Sequence, residues 1–204
     1  GIEEYLRCKS DHRAREVLED LSNRLYELWA KNADDEWPWW NDHLTWGNAK
    51  LPHALLVAGF TLVREEMIDA ALKIIRWLLE IQTADEGHLS IIGNNGWYYR
   101  GKACAKFDQQ PIEAKGLVQA CLACASATGD EFWTRQAVRC FAWFTGSNDV
   151  GEPPYNPDTG GGFDGLHAGG VNSNQGAEST LAYLLSVLEL HHYELARRQA
   201  GAGD

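Results

Sequence analysis

Methionine occurs once in 204 residues and proline six times, and acidic side chains outnumber basic ones 29 to 18. The shortage of basic side chains closes off a class of function. A net charge of -11 leaves no basic stripe with which to displace counterions from a phosphate backbone, so nucleic acid is not expected as a partner. Nothing reaches the ~18 consecutive apolar residues of a membrane span, and no charged-then-apolar leader follows Gly1, so the chain is expected to be soluble, unexported and not membrane-bound. It opens Gly-Ile-Glu-Glu without an initiator Met, which points to trimming, a tag scar or excision from something longer.

Cysteine is also sparse in the sense that matters. Cys8, Cys104, Cys121, Cys124 and Cys140 are odd in number and scattered, so a disulfide framework is not expected and a reducing cytoplasm is the expected location. Cys121 and Cys124 have C-x-x-C spacing. They sit in the apolar run LVQACLACASA with no second pair and no nearby His, which reads as buried structural thiols. Neither a metal nor a cofactor is expected.

What remains is an ordinary globular composition with one excess. Hydrophobic residues make up 45% and charged ones 23%, enough for a single domain over 1–204, with 196–204 expected as a flexible tail. Nine Trp is high, and surplus Trp often serves ring stacking. Apolar positions Val17, Leu18, Leu21, Leu25 and Leu28 recur at helical spacing between charges, which predicts a helix over Ala14–Ala30 buried along one stripe. Leu51–Val63 is apolar nearly all round, as in a helix surrounded by others. The alternation repeats through Met67–Ile81, Ile112–Ala127, Glu131–Phe144 and Ala177–Leu190. An all-α fold follows, in three outer-inner helix hairpins. The inner-to-outer turns are short and the outer-to-inner connections long, so three long loops gather on one face. Gln110-Pro-Ile-Glu113 and Gln175-Gly-Ala-Glu178 repeat the pattern Q-x-x-E 65 positions apart, which suggests a closed or solenoid array.

Loops longer than about 12 to 15 residues are usually functional. The first, DDEWPWWNDHLTWGN, carries Trp39, Trp40 and Trp46 beside Asp42 and His43. Pyranose C-H faces match an indole, and the hydroxyl rim wants carboxylates and amides; the bland alternative is a Trp-rich plug for the bundle. The second loop sets a Gly93-Asn94-Asn95-Gly96 turn, a short strand over Ser90–Ile92, then Trp97, Tyr98, Arg100, Asp108 and Gln109. Asp108 is a candidate general acid or base if burial raises its pKa, or an N-cap ahead of Pro111, with Glu113 completing a capping pair. The third loop brings Asp164, His167, Asn172, Asn174, Gln175 and Glu178 to the start of a helix, where some must act as caps. Its Gly-rich stretch lacks the Walker lysine and G-x-G-x-x-G patterns of a phosphate cradle. His191-His192 reads as surface.

The segments WPWWNDHLTWGNAKLPHALL, GWYYRGKACAKFDQQPIEA and DGLHAGGVNSNQGAESTLAYLL resemble the helical domain found behind the catalytic domain of some bacterial retaining-type glycosyltransferases. The resemblance covers nearly the whole chain and implies the six-hairpin glycosidase and N-acylglucosamine 2-epimerase toroid group, whose members work on sugars at one end of the barrel. It also implies that a first half of hairpins is missing, leaving about half of an (α/α)6 toroid. Open flanks would then call for a homodimer, a partner chain or a missing N-terminal half.

Two functions compete. An enzyme of glycan chemistry would use Asp108 and Asp42 as its carboxylate pair, or His43, His53, His88 or His167 for epimerisation, with Glu178 as a further acid-base candidate. A saccharide-binding or assembly module would keep the Trp surface, with Trp39, Trp40, Trp46, Trp97, Tyr98, Arg100, Gln109, Asp164, Asn174 and Gln175 as the ligand contacts.

Overall fold

The computed structural model describes the backbone of residues 1–201. Among these are seven α-helices: α1 (Ile2–Cys8), α2 (His12–Asn32), α3 (Lys50–Leu62), α4 (Glu65–Ile81), α5 (Pro111–Thr128), α6 (Glu131–Ala142) and α7 (Ala177–Gly201). Two ribbons of two-residue strands lie in the loops, β1 (His43–Leu44) with β2 (Tyr98–Tyr99) and β3 (Leu166–His167) with β4 (Gly170–Val171). The chain is therefore mostly helical, as its periodicity predicts. No described helix is long and apolar enough to cross a membrane.

The helices form for reasons visible in their residues. On α4, Met67, Ala70, Ala71, Ile74, Ile75, Leu78 and Leu79 fall at i, i+3, i+4 spacing and are all buried, so one stripe faces the core. α5 buries residues on nearly every side, including the acidic Glu113, because α6, α3 and α7 all pack against it. α3 packs on α4 and on α2. Asp11 caps α2 by accepting from the Ala14 N–H at 3.0 Å, and Asp130 caps α6 by accepting from Phe132 N–H at 2.8 Å. Pro111 opens α5 at the position where its missing N–H costs nothing.

One expectation changes, the strand over Ser90–Ile92, and two further features come from the structure. The short N-terminal α1 was not legible, since seven residues with no buried side chain carry no periodic signal. Ser90–Ile92 is not a strand; a single bridge joins Thr83 to Leu89 instead, and Ile91 and Ile92 are buried as core side chains. The expected tail at 196–204 is helical as far as Gly201, and 202–204 lie outside the described residues.

Candidate functional site

The three long loops are tied to one another edge to edge. β1 of the first loop pairs with β2 of the second, His43 opposite Tyr99 and Leu44 opposite Tyr98. Arg100 reinforces the seam, its backbone N–H donating to the Asp42 carbonyl at 2.8 Å and its guanidinium pairing with Asp34 at 2.6 Å. The second loop joins the third where Gln109 and Leu166 exchange both backbone hydrogen bonds, at 2.9 and 3.0 Å. Gly165 permits that approach: its φ is +131°, and a Cβ there would lie 2.0 Å from the Gln109 carbonyl oxygen.

Two clefts open at this end. The first, about 220 Å³, is lined by Asn94, Asp108, Gln110, Asp164, His167 and Asn172 around the Gln109–Leu166 junction. Its size suits part of a polar ligand rather than a whole drug-sized molecule. Burial works against ionisation of Asp164, but the Ser179 hydroxyl, the Asn174 amide and the Gly176 N–H outweigh it and hold its carboxyl below the ordinary range. Asp164 is thus a fixed carboxylate that also caps the start of α7. Asp108 is different. It is half-buried, sits at φ +58° in the left-handed region, and its carboxylate makes no hydrogen bond among the described residues. His167 is exposed, and its Nδ1 accepts the Gly169 N–H at 3.0 Å, which leaves Nε2 available.

The second cleft, about 310 Å³, is lined by Trp39, His43, Trp46, Lys50 and Leu51. Trp46 is 53% exposed. Trp39 and Trp40 are instead buried at 3% and 5%, packed on each other edge to face, with the Trp40 indole donating to the Leu25 carbonyl at 2.8 Å. Both rings are packed into the core of the bundle, and Trp39 still contributes to the lining of the second cleft. Tyr98 is half-buried against Trp37, and Trp97 is half-buried at φ +59°.

Asp42, Glu178 and Gln175 fall outside both clefts. The Asp42 side chain is 80% exposed, bonds His43 Nδ1 at 2.8 Å and is held below its ordinary pKa chiefly by that contact. It does not line the cleft that contains Asp108. Glu178 is exposed in the first turn of α7, and the Gln175 side-chain amide oxygen accepts from the Thr159 hydroxyl at 2.8 Å. The Gln109 side chain is buried at 1% and spent internally, so what it gives the cleft is its peptide.

Two buried carboxylates behind the clefts escape a reading of the sequence. Glu113 does not complete a capping pair on its own helix. It reaches across to the N-terminal end of α3, accepting from the Gly47 N–H, the Asn48 N–H at 3.2 Å and the Asn48 side-chain amide at 3.5 Å. Burial lifts its pKa while those donors pull the other way. Asp149 has a fully buried side chain that accepts from Gln109 Nε2 at 2.6 Å, Lys106 Nζ at 2.8 Å and His88 Nε2 at 3.4 Å. Burial opposes its ionisation, and the Lys106, Ser90 and Gln109 donors outweigh it, leaving the pKa lowered. In sequence Asp149 is one acid in a short turn, 40 residues from Gln109, and nothing local marks it. No group of three or more His, Cys, Asp or Glu side chains is placed to hold a metal ion among the described residues. No family model matches the chain, and a search of curated proteins returns no match.

Proposed function

We propose that this chain is a carbohydrate-directed domain that binds a neutral glycan at its loop end, with polar contacts in the Asp108–Asp164–His167 cleft and the exposed Trp46 as a stacking surface. The observation that carries the reading is the edge-to-edge frame of the three loops, which gathers amides, carboxylates and an exposed indole at the starts of α3, α5 and α7. Hydroxyl rims are recognised by such acceptors and donors, and C-H faces by such a ring. The resemblance to the helical domain appended to bacterial retaining-type glycosyltransferases, in the six-hairpin glycosidase and N-acylglucosamine 2-epimerase group, agrees with it.

About half of an (α/α)6 toroid is the architecture that suits this reading, and packing of α3 on α4, α5 on α6, and α5 between α3 and α7 supports it. A homodimer would cover the apolar stripes that α2 (Val17, Leu21, Leu28) and α7 (Leu181, Leu184, Leu188, Leu195) leave exposed. Five free thiols suit a reducing cytoplasm.

A second reading, hydrolysis, draws on one observation: Asp108 and Asp164 line the same cleft, the latter held ionised. Asp42 has no part in it. Tryptophan emission is to be titrated with a panel of neutral oligosaccharides, alongside reducing-sugar release. A saturable change that Trp46→Ala and Asp108→Asn each weaken at least tenfold is expected, and emission indifferent to every sugar would discard the proposal. Sugar release abolished by both Asp108→Asn and Asp164→Asn would establish the second reading.

A further inference from the structure

We infer that Asp149 is the positioning residue of the cleft: through Gln109 it sets the register that brings Asp108 and His167 together. Only the functional consequence of this rests on the glycan-binding reading. Gln109 directly follows Asp108, and Leu166 directly precedes His167. The two-way backbone exchange between Gln109 and Leu166 therefore fixes where both cleft residues stand. That junction is held from behind. The Gln109 amide nitrogen donates to Asp149 and to the Lys106 carbonyl, and its oxygen accepts from the indole of Trp143, which is 0% exposed. Both amide protons and one lone pair of the oxygen are thereby engaged, which fixes the buried amide in one orientation.

Asp149 is suited to this because its carboxylate is anchored independently. Lys106 Nζ at 2.8 Å and His88 Nε2 at 3.4 Å bind the same oxygen, while the other oxygen receives Gln109. A charged acceptor makes the stronger bond, so the loop seam depends on a carboxylate that touches no ligand. His88, Lys106 and Gln109 all belong to the second loop, whereas Asp149 follows α6 and its 3-10 turn, so this carboxylate staples the loop to the bundle.

The test uses the full chain. Asp149→Asn keeps the shape and removes the charge; Lys106→Met removes an anchor whose side chain is 57% exposed, and is expected to keep the parent's helicity. Both variants are expected to move the Trp143 indole N–H resonance. The indole resonances of Trp29, Trp37 and Trp40, which donate to backbone carbonyls elsewhere, should stay in place. Amide exchange at Gln109 and Leu166 should quicken at least tenfold in Asp149→Asn. For any oligosaccharide bound by the parent protein, Asp149→Asn and Gln109→Ala should each weaken binding about tenfold, the double variant being no worse than the weaker single one. A Trp143 resonance unmoved in both variants, or a Leu166 amide as protected as before, overturns the inference. A parent protein that binds no oligosaccharide sinks the glycan reading alone, and the resonance and exchange results still decide the role of Asp149.

Discussion

At the scale of single residues, identical side chains have been given opposite work by burial. Trp40 is core and Trp46 is surface, six positions apart in one loop. Trp40→Ala is expected to cost about 3 to 5 kcal/mol by urea denaturation, the toll of a large cavity, whereas Trp46→Ala should stay within about 0.5 kcal/mol while weakening sugar binding. Equal losses at both positions would contradict this assignment. Asp108 shows a related division. Its left-handed backbone costs of order 1 kcal/mol for a residue with a Cβ, so Asp108→Gly should raise stability by up to that amount while removing the cleft's unpaired carboxylate. Thermal unfolding alongside the sugar titration checks both halves. The sequence names Trp39, Trp40 and Trp46 in one breath because composition has no depth coordinate; which indole is covered depends on helices many residues away.

Whole elements were the most readable part of the sequence. The stripe on α4 and the all-round apolar character of α5 follow from spacing and need no tertiary information. What spacing conceals is a side chain that serves a neighbouring element. Glu113 has the sequence context of a local cap on α5, yet its carboxylate satisfies the backbone N–H groups of Gly47 and Asn48 ahead of α3, 66 and 65 residues away. Glu113→Ala should therefore cost about 2 to 4 kcal/mol, since it strands buried donors, and Glu113→Gln distinctly less because one carbonyl acceptor survives. Should the two variants unfold at the same urea concentration, the carboxylate is not holding α3 to α5.

For the whole molecule, pH and self-association are the informative variables. His53 on α3 faces the groove between α2, α3 and α5, where burial first and Lys50 second push its pKa down from 6.5 to about 4. The unfolded chain thus binds this proton more readily than the folded one between those values. Stability from neutral His53 is complete well above pH 6.5 and is lost as pH falls toward 4, by about 3 kcal/mol. Glu113, raised by burial, acts with the opposite sign in acid, so the His53 share is to be isolated by comparing His53→Gln with the parent. The variant's stability should fall less steeply between pH 7 and pH 4; parallel curves would remove His53 from the account. Leu184 and Leu188 are 43% and 48% exposed on α7. If a second copy covers them, the parent should sediment as a dimer and Leu184→Glu with Leu188→Glu as a monomer of unchanged helicity. A parent protein that is monomeric at every concentration defeats the ring-closure proposal.

By itself the sequence determined that the chain is helical, where its main helices run and that three long connections separate them, because hydrophobic spacing and turn residues act within a few positions of themselves. Tertiary structure alone decided which indoles are buried, that Asp42 stands apart from Asp108, and that Glu113 and Asp149 are spent on distant partners. These outcomes depend on which loops meet edge to edge, and such meetings are made by backbone hydrogen bonds that every residue but proline can offer, so no side-chain pattern announces them.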